Sequence, residues 1–124
     1  MPSNIILIAD DDPWQRLWLT QMLHKAGFIC SAVGDGADVV EQALALNPRL
    51  VILDIDMPGV DGLSAAEQLR ILPNTRHIPI LFVTSYANAR DLLLSVSFEG
   101  ADWMMKPFQP ADLLYRIDRL LGGY

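Results

Sequence analysis

Two aspartates with one isoleucine between them end the apolar run Val51–Leu53 and lead into Met57-Pro58-Gly59 (VILDIDMPG). Two more, Asp10 and Asp11, end the run Asn4–Ala9 (NIILIA). Thr84 ends Ile78–Thr84 (IPILFVT), and Lys106 follows Asp102–Met105 (DWMM). If each run is a strand of one parallel sheet, these groups gather at one edge of it. Three carboxylates there, Asp10, Asp11 and Asp54, repel one another unless something positive sits among them. An oxygen-only, carboxylate-rich set suits a hard cation, Mg²⁺ first, with Mn²⁺ or Ca²⁺ as alternatives. A hydroxyl and an ammonium beside a metal-bound carboxylate suit an oxyanion, most simply a phosphoryl group whose oxygens Mg²⁺, Lys106 and Thr84 divide between them. Read alone, the stretch leaves open which of Asp54 and Asp56 does chemistry.

The elements that must position these groups follow from the alternation of apolar runs and amphipathic stretches. Asn4–Ala9 is continuously apolar, as expected of a strand covered on both faces. Pro13 can start a helix that reaches about Ala26 and stops at Gly27. Its buried stripe is expected to be Gln15, Trp18, Leu19, Met22, Leu23 and Ala26, with Trp14 and Leu17 facing outward. Phe28–Val33 is a second strand; Asp35 can cap a helix with Val40, Ala43 and Leu44 on one side, ended by Asn47-Pro48. After the third strand, Leu50–Asp54, Asp61 can cap a helix carrying Leu63, Ala66, Leu69 and Leu72. A helix within Asn88–Glu99 follows the fourth strand, and Pro110 opens the last helix, with Leu113, Leu114, Ile117, Leu120 and Leu121 as its core face. Strict β/α alternation predicts a parallel, doubly wound sheet with helices on both faces. Ligands then bind beyond the carboxyl ends of the strands.

The 124 residues fit one domain with its own core, and 52% apolar with 19% charged residues excludes a disordered chain. A net charge of −6 argues against a nucleic-acid-binding surface. The single cysteine, Cys30, excludes an internal disulfide or cysteine metal cluster and reads as a buried, inert thiol. No apolar run approaches the roughly 18 residues of a membrane span, and the N-terminus has no signal-peptide pattern, so a cytosolic protein is expected, with no membrane contact. His24 and His77 have no metal-ligand spacing and read as surface or packing residues.

IADDDP, LDIDMPGVDG, FVTS and MMKPF together resemble the receiver domain of two-component response regulators, over essentially the whole chain. The resemblance implies one receiver domain over residues 1–124. Its fold would be an α/β, flavodoxin-like three-layer (βα)5 sandwich with five parallel strands in the order 2-1-3-4-5. Asp54 then matches the phosphoacceptor and Asp11 the direct acidic metal ligand. Asp10 matches the neighbour that contacts the metal through water, and Asp56 the residue that lends the metal a backbone carbonyl. Thr84 matches the hydroxyl on the phosphoryl group and Lys106 the lysine that pairs with it; the small Ser85 leaves room for the phosphoryl oxygens. Pro107 matches a proline preceded by a cis bond that would aim Lys106 inward. Arg16, six residues after Asp10, favours Asp10 and Asp11 as the acidic pair and leaves Asp12 to cap the first helix.

The implied partner is a sensor histidine kinase or a histidine phosphotransfer domain that docks on the first helix, where Trp14 and Leu17 offer an outward patch. The face formed by the fourth helix, fifth strand and fifth helix would serve a homodimer or an output domain. Two departures stand on that face. Trp103 occupies the place of a smaller aromatic switch, which leaves both a turning switch and a fixed packing or interface residue open. Gly100–Asp102 stands one residue closer to Lys106 than the family pattern, which predicts a shifted fourth helix or loop. The chain ends at Leu120–Tyr124, just past the last helix, as a stand-alone receiver or one cut from a longer protein would. Two rivals remain. LDID also resembles the Asp-x-Asp pair of haloacid-dehalogenase-type phosphatases, which would make Asp56 an acid–base; against it, that pair normally follows the first strand, the late acidic pair is missing, and a cap domain has no room. A receiver-like binding module that works without phosphorylation would be expected to have lost part of the Asp, Thr and Lys set. The leading reading is a signalling domain, not an enzyme, beyond self-phosphorylation from a phosphodonor and slow autodephosphorylation.

Overall fold

Short apolar runs become central strands when both of their faces can be covered, and the two faces of this sheet are covered by different helices. A computed structural model describes residues 4–57, 61–85 and 100–122. In chain order the elements are β1 (Ile5–Ala9), α1 (Pro13–Lys25), β2 (Ile29–Val33), α2 (Gly36–Leu46), β3 (Leu50–Asp54), α3 (Gly62–Ile71), β4 (Ile80–Thr84), β5 (Ala101–Met105) and α4 (Pro110–Leu120). The strands form one parallel sheet in the order β2-β1-β3-β4-β5, the expected doubly wound topology. The helix expected within Asn88–Glu99, and the shift expected of it, lie outside the described residues.

Alternation along each strand sorts the core into two layers. Leu7, Ala9, Val51, Leu53, Ile80 and Phe82 pack with Val39 and Ala43 of α2 and with Ala65, Ala66 and Leu69 of α3. The intervening residues Ile6, Ile8, Leu50, Ile52, Leu81 and Val83 pack with Leu19 and Leu23 of α1 and with Leu113 and Ile117 of α4. A period of two on the strands thus meets helices of period 3.6 on either side.

The helix starts follow local chemistry. Asp12, Asp35 and Asp61 each accept a hydrogen bond from a first-turn amide, those of Trp14, Ala37 and Ser64; each such cap stabilises by about 1 kcal/mol. Asn47 closes α2 in the left-handed conformation, at φ 47°.

Three expectations about burial need correcting. Leu44 is 49% exposed, because the buried stripe of α2 runs through Val39 and Ala43, one position round from the expected side. Trp18 is exposed at 39% rather than part of the core, and its ring packs on Phe108 at 5.6 Å between centroids. Ala26 is exposed too, since it is the C-cap of α1 and has already left the stripe.

The start of α3 lies hard against the end of β3. A Cβ on Gly62 would collide with the Asp54 carbonyl oxygen and sit 3.0 Å from the Asp54 carbonyl carbon and from Ile55 Cα. Only backbone stands in the way, so nothing there can rotate aside. Gly62→Ala is expected to destabilise by about 1–3 kcal/mol, read as a lowered urea midpoint; an unchanged midpoint would mean that the helix start yields freely.

Candidate functional site

The sheet's carboxyl edge is built from strand ends that cross-brace one another. Asp10, the residue after β1, is 2% exposed although charged. Its amide donates to Val33 O at 3.1 Å, its Oδ1 accepts from the Asp12 amide at 2.9 Å, and its carbonyl accepts from Arg16 Nη1 at 2.7 Å. The first turn of α1 therefore holds Asp10 in place, while Asp12 caps the helix and Asp11 stays exposed. Asp54 ends β3, also 2% exposed, with Oδ1 accepting from the Asp56 amide at 2.9 Å. Lys106, just after β5, donates from Nζ to Asp10 Oδ2 and to Asp54 Oδ2, at 3.1 Å each. Its backbone amide donates to Thr84 O at 2.8 Å, and the Lys106–Pro107 bond is cis, as the sequence led us to expect. One carboxylate oxygen each from Asp10, Asp11 and Asp54 lie within 4.8 Å of one another. The oxygen-only donor set on that scale fits a small, hard divalent cation.

The charges of the site are held at a cost. Burial pushes the Asp54 carboxyl up from 3.8 to about 6, helped by the neighbouring Asp10 charge and opposed by the Asp56 amide and by Lys106. For Lys106 burial works downward, yet the charges of Asp54 and Asp10 and its hydrogen bonds to them outweigh it and hold the ammonium above its usual range. One ammonium thus stands against two buried carboxylates, and the net balance favours a further cation.

Thr84 is fully buried at the end of β4. Its Oγ1 lies 3.5 Å from Asp56 Oδ2 and 3.3 Å from Ser85 O. The same Asp56 Oδ2 accepts from the Ser85 amide at 3.3 Å and from Ser85 Oγ at 3.2 Å. That role for the Asp56 side chain was not foreseen; the only hint in the sequence is the Asp-x-Asp spacing, which puts its amide on Asp54 and turns its side chain toward the next strand end.

Around the site, Trp14 is 76% and Leu17 47% exposed on the outer side of α1, as expected. Beside them Gln15, Trp18, Lys106, Pro107 and Phe108 line a cleft of about 540 Å³. Trp103 is half-buried against the α2/α3 layer, and Arg116 of α4 donates to its carbonyl at 2.9 Å with the guanidinium 6.0 Å from the indole centroid. Arg116 also pairs with Asp102 at 3.2 Å. Cys30 is half-buried and its thiol is pushed up to about 11 by burial, as befits an unreactive cysteine. His24 and His77 are both exposed.

With this geometry in hand, comparison with known proteins is direct. The family model for the response regulator receiver domain matches residues 6–118. The DNA-binding response regulator MtrA of Mycolicibacterium smegmatis is 34% identical over 112 residues, which cover 90% of this chain and 48% of MtrA. The chain thus spans about half the length of the curated relatives it matches. Among solved structures, the receiver domain of the sensor histidine kinase PA1611 from Pseudomonas aeruginosa, which has a magnesium ion coordinated in its active site cleft, superposes with a TM-score of 0.87 at 28% identity, covering 96% of this chain and 98% of that one. The BeF₃-activated N-terminal receiver domain of RstA from Klebsiella pneumoniae gives 0.84 at 30% identity over 95% and 98%. The chain belongs to the response regulator receiver domains, the signalling domains of two-component systems.

Proposed function

We propose that Asp54 accepts a phosphoryl group from a phosphohistidine of a sensor histidine kinase or histidine phosphotransfer domain. The observation that carries this reading is the buried Asp54 carboxylate, bridged by Lys106 to Asp10 and within reach of Asp11. Asp54 Oδ attacks phosphorus, the P–N bond to the imidazole breaks, and its electron pair stays on the ring nitrogen, which takes up a proton. The product is an acyl phosphate, which water can hydrolyse at the same site. Lys106 and the Thr84 hydroxyl, both beside Asp54 at the strand ends, receive the phosphoryl oxygens.

Asp11, Asp54 and the Asp56 carbonyl would hold a divalent cation, with Asp10 beside it as the second acidic residue. The exposure of Asp11, whose carboxylate lies beside those of Asp10 and Asp54, supports its place as a direct ligand. Mg²⁺ is the natural occupant, by the donor set and by analogy with the PA1611 receiver, and Mn²⁺ would be tolerated; bound there it neutralises the repulsion between Asp54 and the incoming phosphoryl group. The engagement of Asp56 Oδ2 by Ser85 does not favour the phosphatase reading, in which Asp56 would be a free acid–base.

The domain works in the cytosol and signals by contact with protein. Its outputs are a homodimer or an output domain on the face that includes β5 and α4, where Trp103 is the candidate switch. The net charge of −6 speaks against DNA contact by this domain itself. Trp14 and Leu17 form the docking patch for the phosphodonor partner.

Mg²⁺-dependent labelling from a small phosphodonor should be stoichiometric, alkali-labile and absent in Asp54→Asn. Turnover of a generic phosphate monoester would return the phosphatase reading. Failure of both labelling and BeF₃⁻ binding would favour a module that works unphosphorylated.

A second expectation concerns pH. Asp54's folded pKa of about 6 lies above its unfolded value of 3.8, so the fold prefers the protonated acid. That contribution is fully present below pH about 4 and lost as pH rises through about 6. Without metal, Asp54→Asn should therefore be more stable than wild type above pH 7, by at most about 3 kcal/mol, with the gap closing below pH 4; denaturation in EDTA at several pH values reads this. Mg²⁺ affinity should fall as pH drops through about 6, because the proton and the cation compete for Asp54.

For the partner surface, Trp14→Ala with Leu17→Ala should slow transfer from the cognate phosphohistidine about ten-fold or more, while labelling from the small phosphodonor stays as it was. Unchanged transfer would remove the docking role.

A further inference from the structure

The oxygens of a phosphoryl group on Asp54 need donors, and part of the donor set nearest to them is already in use. Asp56 Oδ2 collects the Ser85 amide at 3.3 Å and Ser85 Oγ at 3.2 Å, and it stands 3.5 Å from the Thr84 hydroxyl, whose one proton it shares with Ser85 O at 3.3 Å. They are hydrogen-bond donors, among the described residues, at the end of β4, the strand paired directly with β3. The Asp56 amide is meanwhile anchored on Asp54 Oδ1 at 2.9 Å. An anionic oxygen therefore sits in a cluster of donors one strand end away from the proposed acceptor, and it belongs to the protein itself.

We infer that the Asp56 carboxylate is an internal competitor for the phosphoryl site: at rest it holds the Thr84 and Ser85 donors, and it must leave them before they can serve a phosphoryl group on Asp54. The inference rests on Asp54 being the phosphoacceptor. An N–H serves one strong acceptor at a time, and a phosphoryl group brings about two further negative charges close to a carboxylate. Sharing the donors is thus opposed by geometry and by charge. The contacts are long for bonds to a carboxylate, which are usually 2.7–2.9 Å when strong. A hold of that strength is displaceable, as a competitor at a working site has to be. The device stabilises the resting arrangement of the Thr84–Ser85 segment and sets a threshold for its rearrangement. It makes Asp56 a positioning residue, acting through Thr84 and Ser85, and not one that touches the transferred group.

The test measures BeF₃⁻ affinity in the presence of Mg²⁺ for wild type, Asp56→Asn and Asp56→Ala, each checked for a folded state by thermal denaturation. Removing the competitor should tighten binding about ten-fold in Asp56→Ala, the worth of one hydrogen bond to a charged group. Asp56→Asn should gain less, since its amide oxygen can still accept. The Ser85 amide resonance should move in resting Asp56→Ala and coincide with wild type once BeF₃⁻ is bound. Equal affinities in all three proteins would overturn the inference. So would equal gains in both variants that vanish in high salt with the Ser85 resonance unmoved, since that pattern is bare charge repulsion. If wild type binds no BeF₃⁻ at all, it is the phosphoacceptor assignment that fails.

Discussion

Lys106 Nζ stands 3.1 Å from one oxygen of Asp10 and 3.1 Å from one oxygen of Asp54, and these two carboxylates end different strands, both almost without solvent. Burying two like charges side by side is among the costlier things a fold can do, and removing the Lys106 ammonium, which pairs with both among the described residues, would leave them uncompensated. The rest of the molecule can be read as what keeps this arrangement in register. The parallel sheet supplies three adjacent strand ends, β1, β3 and β4, and β5 carries Lys106 in from the edge. Arg16 ties the Asp10 carbonyl to α1, and Lys106 N ties the β5 end to Thr84 O. Gly62 lets α3 start against the Asp54 backbone. Two of these are backbone constraints and the third is a side-chain tie from the first turn of α1, so the strand ends are set before the Lys106 side chain joins the two carboxylates.

Much of this was legible in the sequence, and the reasons are specific. Continuous apolar runs as short as Ile5–Ala9 and Leu50–Leu53 fit strands covered twice better than helices, which made the doubly wound sheet readable and with it the edge where Asp10, Asp54, Thr84 and Lys106 meet. Caps at Asp12, Asp35 and Asp61 were readable because one side-chain oxygen two or three residues before an apolar stripe has few other uses. The stripes themselves were read less well. A helix with apolar residues at 39, 40, 43 and 44 has two adjacent candidate faces, and only the position of the sheet decides that Val39 is fully buried and Leu44 is not. Trp18 was placed inside by periodicity, but it lies near the mouth of the site, where Phe108 rather than the core receives it. The Asp56 contacts could not be read at all, because they join residues 28 and 29 apart in the chain through the curvature of two loop starts.

The face around β5 shows how a departure in sequence changes a physical arrangement. An indole in place of a smaller aromatic adds area and removes the hydroxyl acceptor. Here Trp103 is braced from α4: Arg116 donates to its carbonyl, stacks near its ring and pairs with the adjacent Asp102, whose Oδ1 in turn accepts from the Trp103 amide. Backbone and ring are therefore tied to one guanidinium. Any movement of Trp103 has to be paid for in Arg116 contacts, so on this chain the aromatic and the arginine form one unit, and α4 is part of whatever the strand end does.

The same logic applies at the acidic edge. The resting charges there, two buried carboxylates and one shared ammonium, are satisfied but not well satisfied, as the raised Asp54 carboxyl records. A site at the bottom of its energy well would have little to gain from a cation or a phosphoryl group. This one keeps Asp54 poorly solvated and short of counter-charge, while the donors of Thr84 and Ser85 are lent to a neighbouring carboxylate at long distances. The two features work in opposite directions: the poorly satisfied Asp54 lowers the cost of rearranging on arrival of new charge, while the Asp56 contacts set a threshold that their length keeps low. A signal that a single covalent event can throw requires two compact arrangements close in energy, and strand ends whose partners can be exchanged without unfolding are one way to build them.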